Sequence, residues 1–168
     1  APSAVPVKPL EANEAAIVFL RSTNFGGAIQ APIVKVVDGK LQYIAILSAG
    51  AKFRYVTTPG KHTFLVGGES GHILEAIVDG GKTYYVRVDP KMGFWKARFE
   101  FIPVPATEVM GDAFKKDMAW CQWSANKPDA HLWLTDNMAS MLEKYATAQQ
   151  KGKRIIMSAN YGVTQPLP

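Results

Sequence analysis

The sequence predicts a mainly β protein: an antiparallel β-sandwich of about eight strands, Ig-like or transthyretin-like, followed by a C-terminal two-helix extension. Three observations lead there. Between residues 15 and 104, short runs rich in branched and aromatic residues recur with a turn signal about every ten residues. No segment of helical length separates those runs, which disfavours a parallel α/β sheet. Beyond "PVPAT" the spacing of apolar residues shifts from the strand period to the helix period.

The elements follow in chain order. "APSAVPVKPLEANE" (1–14) is rich in Pro and Ala and weakly charged, like the tether left when a signal sequence is removed. "AAIVFLR" (15–21) is the first strand. "NFGGAIQ" (24–30) is a loop whose paired glycines suit either close backbone approach to a partner or a bulge or tight crossover. In "APIVKVVDGKLQYIAIL" (31–47), Asp38-Gly39 lies between two β-rich runs and marks a hairpin. "KFRYVT" (52–57), "KHTFLVG" (61–67), "HILEAIV" (72–78) and "TYYVRVD" (83–89) continue the series, with "DGGK" (79–82) as a turn. "FWKARFEFI" (94–102) alternates most clearly: Trp95, Ala97, Phe99 and Phe101 face one way, Lys96, Arg98 and Glu100 the other. Each sheet is therefore expected to keep one face wet.

Thr107 is a candidate cap for a helix through "EVMGDAFKKDMAWCQW", in which Met110, Phe114, Met118 and Cys121 form a stripe, and Lys127-Pro128 ends it. A second helix fits from about Asp136, with Met138, Met141, Leu142 and Tyr145 on one face and Gly152 as its stop. "RIIMS" (154–158) reads as a further strand or a docked extension, and "NYGVTQPLP" as a tail. The expected organisation is a tether at 1–14, a sandwich at 15–104 and a helical extension at 105–168. Two amphipathic helices cannot bury their stripes on each other alone, so they must dock on their own sandwich or on another copy or partner; the simpler expectation is their own sandwich, with a groove lined by Trp120, Trp123 and Trp133.

Composition narrows the function. A chain of 168 residues with 48% hydrophobic and 20% charged residues makes one domain with an appendage and a sizeable core. The formal charge of +5 divides into +1, +3 and +1 over residues 1–51, 52–105 and 106–168, with no block of like charge. A nucleic-acid reader concentrates its cations, so nucleic acid is not an expected partner. Cys121 is the single cysteine, which forbids an internal disulfide and fits a reducing compartment without excluding the periplasm. No apolar run approaches the roughly 20 residues of a membrane span. The tether-like opening favours export, to the periplasm or the outer membrane.

The stretch "TTPGKHTFLVGG" (57–68) invites comparison with a phosphate-binding loop. That loop needs a glycine where Tyr55 stands, a Ser or Thr where His62 stands, and a helix where a strand pattern follows. Pro59-Gly60 instead suits a type II turn, read as a hairpin connection with positive φ at Gly60.

"LSAGAKFRYVTTPGKHTFLV" (47–66), with "AIVFLR" before it and "GGKTYYVRVDPKMGFWKARFEFIPV" after it, resembles a bacterial envelope family catalogued as domain of unknown function 2846, many of whose members are described as lipoproteins. The resemblance covers about residues 15–104. It implies a β-sandwich module of the cell envelope and brings no catalytic residues with it. The lipid-bearing cysteine that opens a lipoprotein is absent from this chain: either it was removed, with a lipid anchor upstream of residue 1, or it never existed.

No catalytic, cofactor or metal site is expected. His62, His72 and His131 lack a metal-ligand spacing, although His62 and His72 with Glu69 or Glu75 would suffice if a hairpin brought them together. The plainer expectation is that His62 packs over the turn and bonds backbone. Cys121 between Trp120 and Trp123 suggests a thiol nucleophile with His131 as base, but its place on an apolar helix stripe is that of a buried structural cysteine. Trp95, Trp120, Trp123 and Trp133, with Tyr84, Tyr85 and Tyr145, are either a stacking platform or core and helix glue. The leading function is a non-catalytic envelope module acting through protein–protein contacts, including self-association, or through the envelope surface. The alternative is a small-molecule or glycan binder with an aromatic cleft between sandwich and helices. The contact candidates are Trp120, Trp123, Trp133, Asn24, Phe25, Gly26 and Gly27.

Overall fold

The computed structural model describes residues 8–25, 27–95 and 97–168. Among them, eight strands precede the helices: β1 (Ala15–Leu20), β2 (Ala31–Val37), β3 (Lys40–Leu47), β4 (Ala51–Thr57), β5 (Gly60–Val66), β6 (His72–Val78), β7 (Thr83–Lys91) and β8 (Arg98–Pro103). Then come α1 (Ala106–Val109), α2 (Asp112–Trp120), β9 (Gln122–Trp123), α3 (Leu132–Gln150) and β10 (Arg154–Met157). The strands form two five-stranded sheets, in the orders β8-β7-β1-β4-β9 and β10-β6-β5-β2-β3. The fold is mainly β and sandwich-like, with ten described strands rather than about eight and three helices rather than two.

The purely antiparallel expectation needs correction. β1 pairs with β7, β4 with β9 and β6 with β10 in parallel. Parallel neighbours require a crossover, and the chain supplies it by changing sheets. The Asp38-Gly39 hairpin is present, with φ of 51° and 75° at its two residues, as a two-residue primed turn requires. The turn at Pro59-Gly60 has the expected positive φ, 124° at Gly60, but it is not a hairpin. It carries the chain from β4 in the first sheet to β5 in the second. Residues 79–82 make the reverse crossing, from β6 to β7.

Alternation places one set of side chains between the sheets. Ile17, Phe19, Tyr84, Val86, Phe99 and Phe101 of the first sheet meet Ile33, Phe64, Val66, Leu74 and Met157 of the second. The outer faces are wet only in part, because the C-terminal third packs on both, while Val56, Ile77 and Ile156 stay exposed. Phe114 and Met118 of α2 pack with Val18, Leu20 and Tyr85 on the first sheet. Leu134, Met141 and Ala148 of α3 pack with Val34, Leu65 and Ile73 on the second. Hence β1 is buried along its whole length and reads as the unbroken apolar run "AAIVFL".

The helices dock in cis, but with other bounds than expected. Thr107 lies inside α1, whose cap is Pro105. Gly111 takes an extended conformation (φ −80°, ψ 155°) and separates α1 from α2. Cys121 is also extended, with ψ 143°, so the chain leaves α2 and adds β9 to the first sheet. α3 begins a turn earlier than Asp136, since Leu134 extends its stripe, and Leu142 lies off that stripe at 39% exposure. Gly152, φ 65°, ends it, with the Lys153 N–H returning to the Ala148 carbonyl. The tail is fastened down: Thr83 and Val163 form a bridge, Tyr84 Oη donates to the Ala159 carbonyl, and the Leu167 N–H donates to Tyr85 Oη.

The Gly60 backbone tests the corner. Gly60→Val has open space for its side chain but must hold φ 124°. The variant is expected to lose on the order of 1 kcal/mol or more in equilibrium denaturation, and an unchanged midpoint would contradict that reading.

Candidate functional site

The register gathers the loops at one end of the sandwich. β1 and β7 run in parallel and finish there, where β4 and β8 begin. In the second sheet β5 and β3 finish there, where β6, β2 and β10 begin. The described residues of segments 21–25, 27–30, 48–50, 67–71, 92–95 and 151–153 therefore surround one surface.

Arg21 anchors it. The side chain is fully buried, and Nη1 donates to the carbonyls of Ile29 and Leu47, each at 2.8 Å. Its guanidinium lies 4.8 Å from the centre of the Phe99 ring. Burial holds its pKa below the ordinary value.

The β7–β8 hairpin projects from this surface. β1 stops opposite Arg87, so residues 88–91 of β7 pair with β8 on one side only, a reach of roughly 13 Å at the usual strand rise. Its tip exposes Met92, Phe94 and Trp95 at 77%, 84% and 87%. Trp95 is thus not sandwich core: β8 begins at Arg98, and only Ala97, Phe99 and Phe101 of the expected inward row are buried. The signal lay in "DPKMGFW", where Pro90 and Gly93 mark a turn and the aromatics directly after it belong to the turn.

The exposed tip is also fastened. Both carboxylate oxygens of Glu69 accept backbone N–H groups, from Phe94 and from Trp95, the latter at 2.8 Å. The two rings pack edge to face at 5.2 Å. Glu69 is held in turn by its own N–H, which donates to the Ala97 carbonyl at 3.2 Å. Sequence reasoning missed this clamp, because nothing local links Glu69 to residues 25 positions later.

Beside the tip is a depression lined by His72, Arg98, Glu100, Lys153 and Arg154. His72 Nδ1 accepts the Phe101 N–H at 3.0 Å, so the ring is neutral with its proton on Nε2. Burial is the main reason its pKa is lowered, Glu100 opposes the shift and Lys153 adds to it. His62 contacts the Thr58 carbonyl at 2.7 Å, over the turn as expected. The two histidines do not meet, since His62 pairs with Ala76 and His72 with Val66 at the other end of the ladder. No group of three or more His, Cys, Asp or Glu suited to a metal occurs among the described residues.

The tryptophan candidates separate. Trp120 is half-exposed beside Gly50, and Trp123 lies under Lys52 Nζ at 4.6 Å, both on the first sheet's side. Trp133 packs on the second sheet's side. It lines a cavity of about 290 Å³ with Ile29, Gln30, Asn137, Ser140 and Met141, and neither Trp120 nor Trp123 reaches it. The Gly27 N–H donates to the Asn24 carbonyl at 3.0 Å, and Phe25 is 52% exposed on the loop end. Gly26 lies outside the described residues. Tyr84 and Tyr85 are fully buried, so they offer no stacking platform.

Cys121 is buried and its Sγ is 3.5 Å from the Arg21 carbonyl. Burial raises its pKa to about 11, against the pull of nearby Lys52. Lys52 itself is buried, donating to the Met118 carbonyl at 2.7 Å and the Pro168 carbonyl at 3.1 Å. A thiol in that state is protonated at neutral pH and is no nucleophile. His131, the imagined base, stands exposed at the start of α3. No helix among the described residues is long and apolar enough to cross a membrane.

No protein-family model matches the chain, and no curated protein or solved structure resembles it at a significant level.

Two measurements follow from these environments. Cys121 is expected to react slowly with a thiol reagent in the native protein and fast once unfolded; fast native labelling would contradict its burial. A lowered His72 pKa means the unfolded chain takes up the proton first as pH falls. The neutral ring's contribution is therefore complete above the ordinary value of about 6.5 and is lost progressively below it. Tm should drop on acidification through that range, and His72→Gln, whose amide oxygen can accept the Phe101 N–H, should flatten part of the drop.

Proposed function

We propose that this is a non-catalytic β-sandwich module of the bacterial cell envelope, which works by surface contact through the β7–β8 tip. The observation that carries the reading is the exposure of Met92, Phe94 and Trp95 on a hairpin whose backbone is held by Glu69. Burying a Phe or Met side chain stabilises a complex by about 1.5–3 kcal/mol, so a tip presenting three apolar groups already fixed in place is suited to contact. Loops gathered at one end of two facing sheets are also how Ig-like sandwiches present their contact residues. The non-catalytic part is supported by the buried protonated Cys121 and by histidines engaged with backbone. The envelope assignment rests on the family resemblance over residues 15–104.

A second reading, a small-molecule or glycan binder, is favoured by the cavity of about 290 Å³ at Trp133, where Gln30, Asn137 and Ser140 offer hydrogen bonds beside an indole. It requires Trp133 alone, not a cleft shared by three tryptophans.

The contact reading is tested with the full chain exported to the periplasm of a bacterial host. The wild type is expected in the envelope fraction, and F94S/W95S is expected to shift its partition toward the soluble fraction by about tenfold or more. Both side chains are solvent-exposed, so Tm should not change. Identical partition of the two proteins would overturn the tip as the contact site.

A further inference from the structure

We infer that the occupant of the tip is an anionic lipid surface, with Phe94 and Trp95 seated at the headgroup boundary; this rests on the contact reading above and names its partner.

Shape favours lipid over protein. The tip is a narrow convex projection carrying three apolar side chains. A stable protein–protein contact buries roughly 800 Å² on each partner, far more than such a tip offers, and a convex tip needs a matching pocket. A lipid interface admits a wedge without one. Residue type points the same way, because Trp joins apolar area to a polar N–H and settles at headgroup depth, while Phe and Met add apolar area.

Charge supplies the anionic preference. The depression beside the tip sets Arg98, Lys153 and Arg154 against Glu100 as its one carboxylate. The neighbouring wall adds Lys144 and Lys151, opposed by Glu143 and by Glu69. Glu69 has both oxygens occupied by tip N–H groups. Glu75, the remaining acid close to Arg154, is 3.3 Å from it. Lys91 stands at the root of the tip, and the chain as a whole carries +5. Cations behind an apolar wedge are placed to meet lipid phosphates while the wedge enters the interface. Because Glu69 holds the tip in its exposed form, little ordering accompanies insertion.

The test uses the full chain with vesicles of phosphatidylcholine alone and of phosphatidylcholine mixed with phosphatidylglycerol. Partition is expected to be about tenfold or more higher on the anionic vesicles and to fall as salt is raised. F94S/W95S should lower it by about tenfold or more at unchanged Tm, and K91E/K153E should abolish the preference for anionic vesicles. Vesicles with brominated acyl chains should quench wild-type tryptophan fluorescence, and W95F should bind while losing that quenching. No binding to either vesicle, or binding that F94S/W95S leaves intact, overturns the lipid assignment. If F94S/W95S still releases the protein from the envelope fraction, the contact reading stands with a protein occupant; if it does not, both readings fall.

Discussion

A buried guanidinium organises one loop end of this protein. Arg21 follows the central strand of the first sheet, and its side chain ties together the β1–β2 loop, the end of β3 and the Phe99 ring of β8. Its main chain does as much. The N–H donates to Ala51, and the carbonyl receives the Gly50 N–H and lies against Cys121 Sγ. Removing a guanidinium from water is costly unless its donors are met, and the Ile29 and Leu47 carbonyls meet Nη1 from two different segments. A lysine would lose the contact with Phe99, because an ammonium lacks the flat face that lies over that ring. The loops around Arg21 are thereby held in one arrangement by a group that no solvent touches.

A second buried cation plays the corresponding part on the outer face. Lys52 pairs with Leu20 in register and points away from the sandwich core. It takes the Met118 carbonyl near the end of α2 and the Pro168 carbonyl of the tail, above the Trp123 ring. A cation at a helix C-terminus meets carbonyls that have no intrahelical donor. The adjacent tyrosines secure the tail from opposite faces of the first sheet. Tyr84 faces inward and bonds Ala159, while Tyr85 faces outward and accepts from Leu167. The C-terminal third thus adds an edge strand to each sheet and packs on part of both outer faces.

This explains which features could be read from the sequence. Asp38-Gly39, Gly60 and Gly152 were legible because each is a local backbone demand, met by positive φ within a residue or two. The strand series was legible from period and turn spacing. Pairing was not, because a turn at Pro59-Gly60 looks the same whether it returns a strand to its own sheet or passes it to the other. β9, at two residues, carries no periodic signal. The wet outer faces were expected from alternation in "FWKARFEFI", yet "AAIVFL" has no alternation and already required cover on both sides. Arg21 and Lys52 look like surface charges in any linear reading; their burial depends on partners at 29, 47, 118 and 168.

The same distinction separates the tip from the core. Phe99 and Phe101 are fixed by the second sheet opposite them, so their apolar character is a requirement of folding. Phe94 and Trp95 meet no such face, and a turn of that length would form equally well with polar side chains. Their backbone is nonetheless held, by a carboxylate from a different strand connection, in a geometry that directs both rings outward. Had the rings folded back on Met92 or the hairpin root, their exposure would reflect only a loose turn. With the backbone clamped and the root buried at Val88 and Phe99, exposure is a property of the fold itself. Stability is then carried by the root of the hairpin, which allows the tip to be apolar without being part of the core.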